Sequence, residues 1–173
     1  GGRVMHATAR DQVRALQLLV KALSLAEASD DKAEAAKVAE QLANTLLYGK
    51  GGYGGWQLQA LTNLDELPDY EEGWGFQGDL RGAPVDAENK PVYYSTPKSW
   101  DEATSDGERW WWALARMSEL DPTRKLDELM SRACFLRSQF GVNTLADMMP
   151  LLLARSAEQE STTGSIYTLH TLK

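Results

Sequence analysis

Val13, Leu16, Leu19, Val20 and Leu23 recur at intervals of three and four residues, and after Asp31 the same rhythm runs through Val38, Leu42 and Leu46 among alanines. Such spacing puts the apolar side chains on one side of an α-helix, so residues 10–48 predict a helical arm of two helices. Ser29-Asp30-Asp31 supplies the break, with Asp30 or Asp31 as the N-cap of the second helix. Gly49 stands where a left-handed residue would close it. A link this short predicts a helical hairpin.

From residue 49 to 105 the helical rhythm weakens. Trp56 to Leu64 has the composition of a short helix between glycine turns. Ala83-Pro84-Val85 and Pro91-Val92-Tyr93-Tyr94 flank the polar stretch Asp86-Ala87-Glu88-Asn89-Lys90, which predicts a small β-hairpin. Prolines on both arms make it an edge device.

The helical period returns at residue 106, with Asp106 as expected N-cap and Trp110, Ala113, Leu114, Met117 and Leu120 in one stripe. Asp121-Pro122 ends that helix and starts another, Asp121 as cap and Pro122 at the first helical position. Leu126, Leu129, Met130, Ala133, Leu136 and Phe140 form the expected buried side of this next helix, with Gly141 beyond it. A further helical piece is expected from Thr144 to about Glu160, interrupted at Pro150, which lacks a backbone donor. The tail, 161–173, fits helix or strand. The whole predicts a mainly α chain, one helical domain over 1–173: a helical hairpin plus further antiparallel helices, with a long Gly, aromatic and acidic insertion and a small β-hairpin.

Charge sharpens this division. Residues 51–109 hold twelve acidic against four basic side chains, a balance of -8, and the two flanking regions together add +1, so the insertion accounts for the formal net charge of -7. Continued to Trp112, it also holds eleven of the fifteen aromatic residues. An acidic balance without a Lys/Arg cluster excludes nucleic acid as an expected partner, because phosphate binding draws on such clusters. No apolar run approaches the ~20 residues of a membrane-spanning helix, so no membrane insertion is expected. The single Cys134 lies in an apolar run and cannot form an internal disulfide. Gly1-Gly2 reads as the edge of a piece cut from a longer precursor, which leaves the compartment open.

Trp110-Trp111-Trp112 is the sharpest local feature. Successive helical residues turn by about 100°, so three indoles cannot share one buried side. If Trp110 joins the stripe, the other two need cover from the acidic insertion or from a partner. Asp65, Glu66, Asp69, Glu71 and Glu72, among Tyr70, Trp74 and Phe76, are the second feature. Paired carboxylates beside rings serve glycoside cleavage, and acidic loops also hold calcium. Asp86-Ala87-Glu88-Asn89 lacks the glycine and distal glutamate of the helix-loop-helix calcium motif. Gly49-Lys50-Gly51-Gly52-Tyr53-Gly54 matches G-x-G-x-x-G, but a helix enters it where a strand is required, so no dinucleotide cofactor is expected. His6 and His170 belong to no zinc pattern, and no serine sits in G-x-S-x-G. Arg109, beside Glu108 and Asp106, has its simplest role in pairing within the helix or with the acidic loop.

The runs Asn63-Leu64-Asp65-Glu66-Leu67-Pro68-Asp69-Tyr70-Glu71-Glu72-Gly73-Trp74-Gly75, Ala83-Pro84-Val85-Asp86 and Asp106-Gly107-Glu108-Arg109-Trp110 resemble a helical segment of large secreted bacterial proteins of the alpha-2-macroglobulin-like kind. The resemblance covers residues 47–114. The thioester pattern of that family's reactive members, a Cys two residues before Glu-Gln, is missing, since Glu158-Gln159 follows Ser156-Ala157. The resemblance implies a supporting helical domain of a long exported or envelope protein, with no covalent trapping.

These readings converge on a non-enzymatic helical scaffold or protein-interaction domain whose partners are proteins or neighbouring domains of the same chain. Its binding residues are expected among Tyr53, Trp56, Asp69, Tyr70, Glu71, Glu72, Trp74, Trp100 and Trp111, because large rings dominate recognition energy. The alternatives are a carbohydrate-binding or glycoside-hydrolase-like module using two of Asp69, Glu71 and Glu72, and a calcium-stabilised structural domain.

Overall fold

A computed structural model describes residues 5–49, 58–72, 88, 90 and 92–138, all within the first of the chain's two units, Gly1–Gly141. Helix α1 spans Thr8–Ala28 and α2 spans Lys32–Tyr48. Between them Asp30 adopts a left-handed φ of 56°, which the short Asp side chain tolerates better than most. Asp31 then caps α2, its carboxylate accepting the Glu34 N–H at 3.0 Å. These local choices produce the expected helical hairpin.

Helix α2 buries Ala35, Ala36, Ala39, Leu42, Ala43 and Leu46. Four alanines in this set keep the helix slim where it meets α1 and, on its other flank, α3 (Asp106–Leu120). Leu42 and Leu46 fill the space between, joined by Leu16 and Leu23 of α1 and by Trp110, Leu114 and Met117 of α3. Full burial of each such leucine contributes about 1.5–3 kcal/mol. Gly49 does not close α2 in the left-handed form. Its φ is -67° and the glycine serves close packing instead, since a Cβ there would lie 2.4 Å from the Thr45 carbonyl oxygen and 3.0 Å from the Gln12 amide of α1.

The helix expected over Trp56 to Leu64 is not formed. Leu58 and Gln59 make a 3₁₀ turn and residues 60–70 are irregular; the start of that segment lies outside the described residues. Backbone groups that a helix would use are bonded elsewhere. The Ala60 carbonyl accepts the Asp106 N–H at 2.9 Å, the Thr62 N–H donates to Asp106 Oδ1 at 3.0 Å, and Asn63 Oδ1 accepts the Asp65 N–H at 2.9 Å.

The small β-hairpin also needs correction. Its first arm and part of its linker lie outside the described residues, and its second arm is irregular over 92–97. The β pairing among the described residues joins β1 (Met5–His6) to β2 (Glu71–Glu72), antiparallel, Met5 opposite Glu72 and His6 opposite Glu71.

Helix α3 begins one residue earlier than an Asp106 cap would place it. Ser105 is the N-cap, its hydroxyl accepting the Glu108 N–H at 3.2 Å, while the Glu108 carboxylate accepts the Thr104 N–H at 2.7 Å. This is a form of capping box. The helix stops at Asp121 as expected, with its carboxylate accepting the Thr123 N–H at 3.1 Å, and Pro122–Arg124 forms a 3₁₀ turn leading into α4 (Lys125–Ser138). Arg124 grips Glu40 of α2 through both carboxylate oxygens, at 2.9 and 2.5 Å.

The orientation of α4 overturns its expected buried side. Leu126 is 68% exposed, Leu129 53%, Met130 56% and Leu136 47%; Ala133 is exposed too, and Phe140 lies outside the described residues. Phe135 and Glu128 face inward instead. The cause is the surface that α3 presents. Trp110 takes the Phe135 ring at 4.7 Å between centroids, Ser118 donates its hydroxyl to Glu128, and the Arg132 guanidinium lies 4.2 Å above the Trp111 ring.

Candidate functional site

The expected site residues do not form one constellation among the described residues. Tyr53, Trp56 and Trp74 lie outside them. Asp69 and Tyr70 are exposed on the segment leading to β2, along with Asp65 and Glu66. The Arg10 guanidinium of α1 covers one side of the Tyr70 ring at 4.9 Å and donates to the Pro68 carbonyl at 2.9 Å. Glu71 and Glu72 enter through their backbone, in the pairing with His6 and Met5.

Trp100 and Trp111 are packed inside, 9% and 6% exposed, so neither is a stacking surface for a partner. The tryptophan run is covered from two directions. Trp112 meets Trp100 of the insertion edge-on at 5.8 Å, as expected, but Trp111 lies under Arg132 of α4 and Trp110 against Phe135 of α4. An arginine covers an indole well because its plane stacks on the ring while its charge is attracted to the π face. Burial lowers the pKa of Arg132, opposed by the charge of Glu128.

Instead, the polar groups with the most structure around them gather at the start of α3. Asp106 is wholly buried, and its carboxylate accepts the Thr62 N–H at 3.0 Å, the Thr62 hydroxyl at 2.5 Å and, more weakly, Arg109 Nη1 at 3.4 Å. Arg109 Nη1 also donates to the Thr62 carbonyl at 2.7 Å, and its guanidinium lies 4.8 Å above the Trp100 ring. Burial lowers the Arg109 pKa, while Asp106 acts to raise it. Tyr94 lies across the first turn of α3, where Gly107 leaves room for its ring, and its phenol is pushed well above its ordinary value by burial first and the Asp106 charge second. Glu108 is held below the usual carboxylate range by the Thr104 N–H, helped against burial by the Thr104 and Ser95 hydroxyls.

The chain matches no family model, no curated protein and no solved structure.

Chemically, the α3 cluster is a clasp. Its carboxylate has both oxygens bonded to fixed donors, and the bonds join positions 44 residues apart in the chain. A second clasp joins α3 to α4. Burial pushes the Glu128 carboxyl upward, but hydrogen bonds from Lys125 and Ser118 and the charge of Arg132 outweigh it and hold the pKa below its ordinary value. Among the described residues no three His, Cys, Asp or Glu side chains converge to hold a metal ion, and no helix is long and apolar enough to cross a membrane.

Sequence reasoning anticipated pairing of Arg109 but missed Thr62 and Glu128. Ser105-x-x-Glu108 was the available signal for the first cluster, because a capping box there frees Asp106 from the cap. No comparable signal marks Glu128.

Proposed function

We propose that this protein is a non-enzymatic helical scaffold, an interaction domain of a larger exported or envelope protein. The observation that carries this reading is the use of its buried acids: Asp106 accepts from Thr62 of the preceding segment and Glu128 from Ser118 of α3 as well as from Lys125 of its own helix, in the manner of structural clasps and not of groups awaiting a substrate proton. Groups left to solvent around the insertion are Asp65, Glu66, Asp69 and Tyr70, with Tyr93 exposed as well. An acidic, tyrosine-bearing surface on a rigid frame suits a protein partner or a neighbouring domain with basic residues at its rim. Placement in an exported protein rests on the similarity of the runs around residues 63–75, 83–86 and 106–110 to alpha-2-macroglobulin-like chains.

Two measurements test this together. Asp106→Asn should lower the melting temperature by several degrees, whereas Asp69→Asn should leave it unchanged. Turnover of chromogenic glycosides by the intact protein, lost in Asp69→Asn, would overturn the reading in favour of a glycoside hydrolase.

A further inference from the structure

The segment after α2 lies on α1 the way an extended ligand lies on a receptor. The Leu64 carbonyl accepts Gln17 Nε2 at 2.6 Å, the Pro68 carbonyl accepts Arg10 Nη1 at 2.9 Å, and Glu71 and Glu72 pair with His6 and Met5 through their backbones. Residue numbers rise along the segment as they fall along α1 and β1, so it runs as one strap antiparallel to the helix. Gln17 and Arg10 stand two helical turns apart, about 10.5 Å of rise, and the chain from Leu64 to Pro68 reaches at most ~14 Å. Between its two carbonyl anchors the strap is therefore close to full extension.

Each of these fastenings uses backbone groups of the strap, which any extended chain presents. The side chains of Asn63, Asp65, Glu66, Pro68, Asp69 and Tyr70 stay exposed, whereas Leu64 packs against the core. Arg10 covers one side of the Tyr70 ring. Main-chain bonds of this kind supply affinity, and the seats for one apolar and one aromatic side chain supply selection. Charge adds to both. Arg14, between Arg10 and Gln17 on the same side of α1, pairs with the exposed Asp11 at 3.7 Å and gives the track a second guanidinium, beside a strap that carries Asp65, Glu66 and Asp69.

We propose that this side of α1 is a binding track for an extended acidic segment bearing a leucine-like residue and, further along, an aromatic one at the spacing of Leu64 and Tyr70. The chain's own residues 63–72 occupy the track at rest, and a partner's segment of that kind takes their place. The track rests on the interaction-domain reading and names one class of partner for it. Glycoside turnover overturns that reading and peptide binding tests the track, so the two failures are distinguishable.

The probe is a fluorescein-labelled peptide of residues 63–72, titrated with the intact chain and followed by fluorescence anisotropy. A strap tethered in cis competes at an effective concentration of roughly millimolar. The unaltered chain should therefore bind the peptide at least about tenfold more weakly than a chain with Leu64→Ala and Tyr70→Ala, whose strap has lost both side-chain seats. Both positions lie outside the helices, and circular dichroism checks that helical content is kept. Tyr70→Ala alone, at a half-exposed ring, should give an intermediate affinity and replaces the double variant if that chain does not fold. Adding Arg10→Ala should weaken binding to the released chain about tenfold, as loss of a hydrogen bond from a charged group does. A peptide carrying Leu64→Ala and Tyr70→Ala should not bind. A released chain that binds no better than the unaltered one, an affinity indifferent to Arg10→Ala, or equal binding of the altered peptide would each overturn the proposal.

Discussion

Asp106 and Thr62 hold each other at two points, the Asp106 carboxylate accepting both the backbone N–H and the hydroxyl of Thr62. Through this pair the irregular segment after α2 is fixed to the first turn of α3. Hydrogen bonds to a buried charge contribute about 1.5–3 kcal/mol, more than neutral ones. Thr62→Val, which keeps the shape and the N–H but removes the hydroxyl, should therefore destabilise by about 1.5 kcal/mol in urea unfolding, and Asp106→Ala by about 3 kcal/mol. The double variant should lose less than the sum. Additive losses would mean that the two residues are not coupled.

Gly107 should resist substitution by the residue that normally favours a helix. Alanine is ordinarily better than glycine in a helix by about 1 kcal/mol. Here a Cβ would sit 2.4 Å from the Tyr94 ring, inside contact distance. Gly107→Ala should destabilise by about 1–3 kcal/mol in the wild-type background, as overpacking does, yet become neutral or stabilising when Tyr94 is already alanine. The sign of the change between the two backgrounds is the measurement.

Trp111 tests how the α3–α4 contact is built. Trp111→Ala should destabilise by about 3–5 kcal/mol, as loss of a buried indole does. Trp111→Phe should be far milder, about 1 kcal/mol, because the buried indole Nε1–H meets no hydrogen-bond acceptor among the described residues and its removal relieves that burden. Equal losses in the two variants would show that the shape of the indole under Arg132, and not ring burial, holds the helices together.

Acid should loosen the same contact. The folded-state pKa of Glu128 lies below its unfolded value. The carboxylate thus contributes stability that is fully present above the unfolded value, roughly 4.3, and is lost as pH falls through the folded value. Glu108 acts in the same direction. The melting temperature should fall below about pH 5, and Glu128→Gln, less stable at neutral pH, should show a shallower fall. Parallel curves for the two proteins between pH 7 and 3 would remove Glu128 from this account.

Asp30 should prefer a residue without a side chain. At a φ of 56° a β-branched residue is strained, so Asp30→Val should lose about 1–2 kcal/mol and Asp30→Gly nothing, measured by thermal unfolding.

The helices could be read from the residues because each carries both a period and a boundary. Val13 to Leu23 and Val38 to Leu46 set the inner sides of α1 and α2 with Asp31 at their break, and Asp121-Pro122 marks the break between α3 and α4. The period fails on α4. It identifies the greasy side, Leu126 to Leu136, but burial is decided by the neighbour, and α3 offers an indole and a hydroxyl that Arg132 and Glu128 satisfy. Around residues 58–70 local propensity fails for a related reason: the backbone groups of Ala60 and Thr62 are bonded to Asp106, and nothing near them in the chain announces it. Of the site residues, the exposed Asp69 and Tyr70 lie where an acidic surface segment would put them, while Trp100 and Trp111 became core because a rigid ring that can bind a partner packs equally well against its own chain.

The bonds between Thr62 and the start of α3 also mean that peptide continuity is not what keeps the two halves of the unit together. A single cut in the connecting stretch between Tyr70 and Val92 would leave a front fragment with α1 and α2 and a rear fragment with α3 and α4, each bearing half of one shared interior and half of one polar clasp. Such fragments, made separately and mixed, have the complementary surfaces to reassemble without a covalent bond.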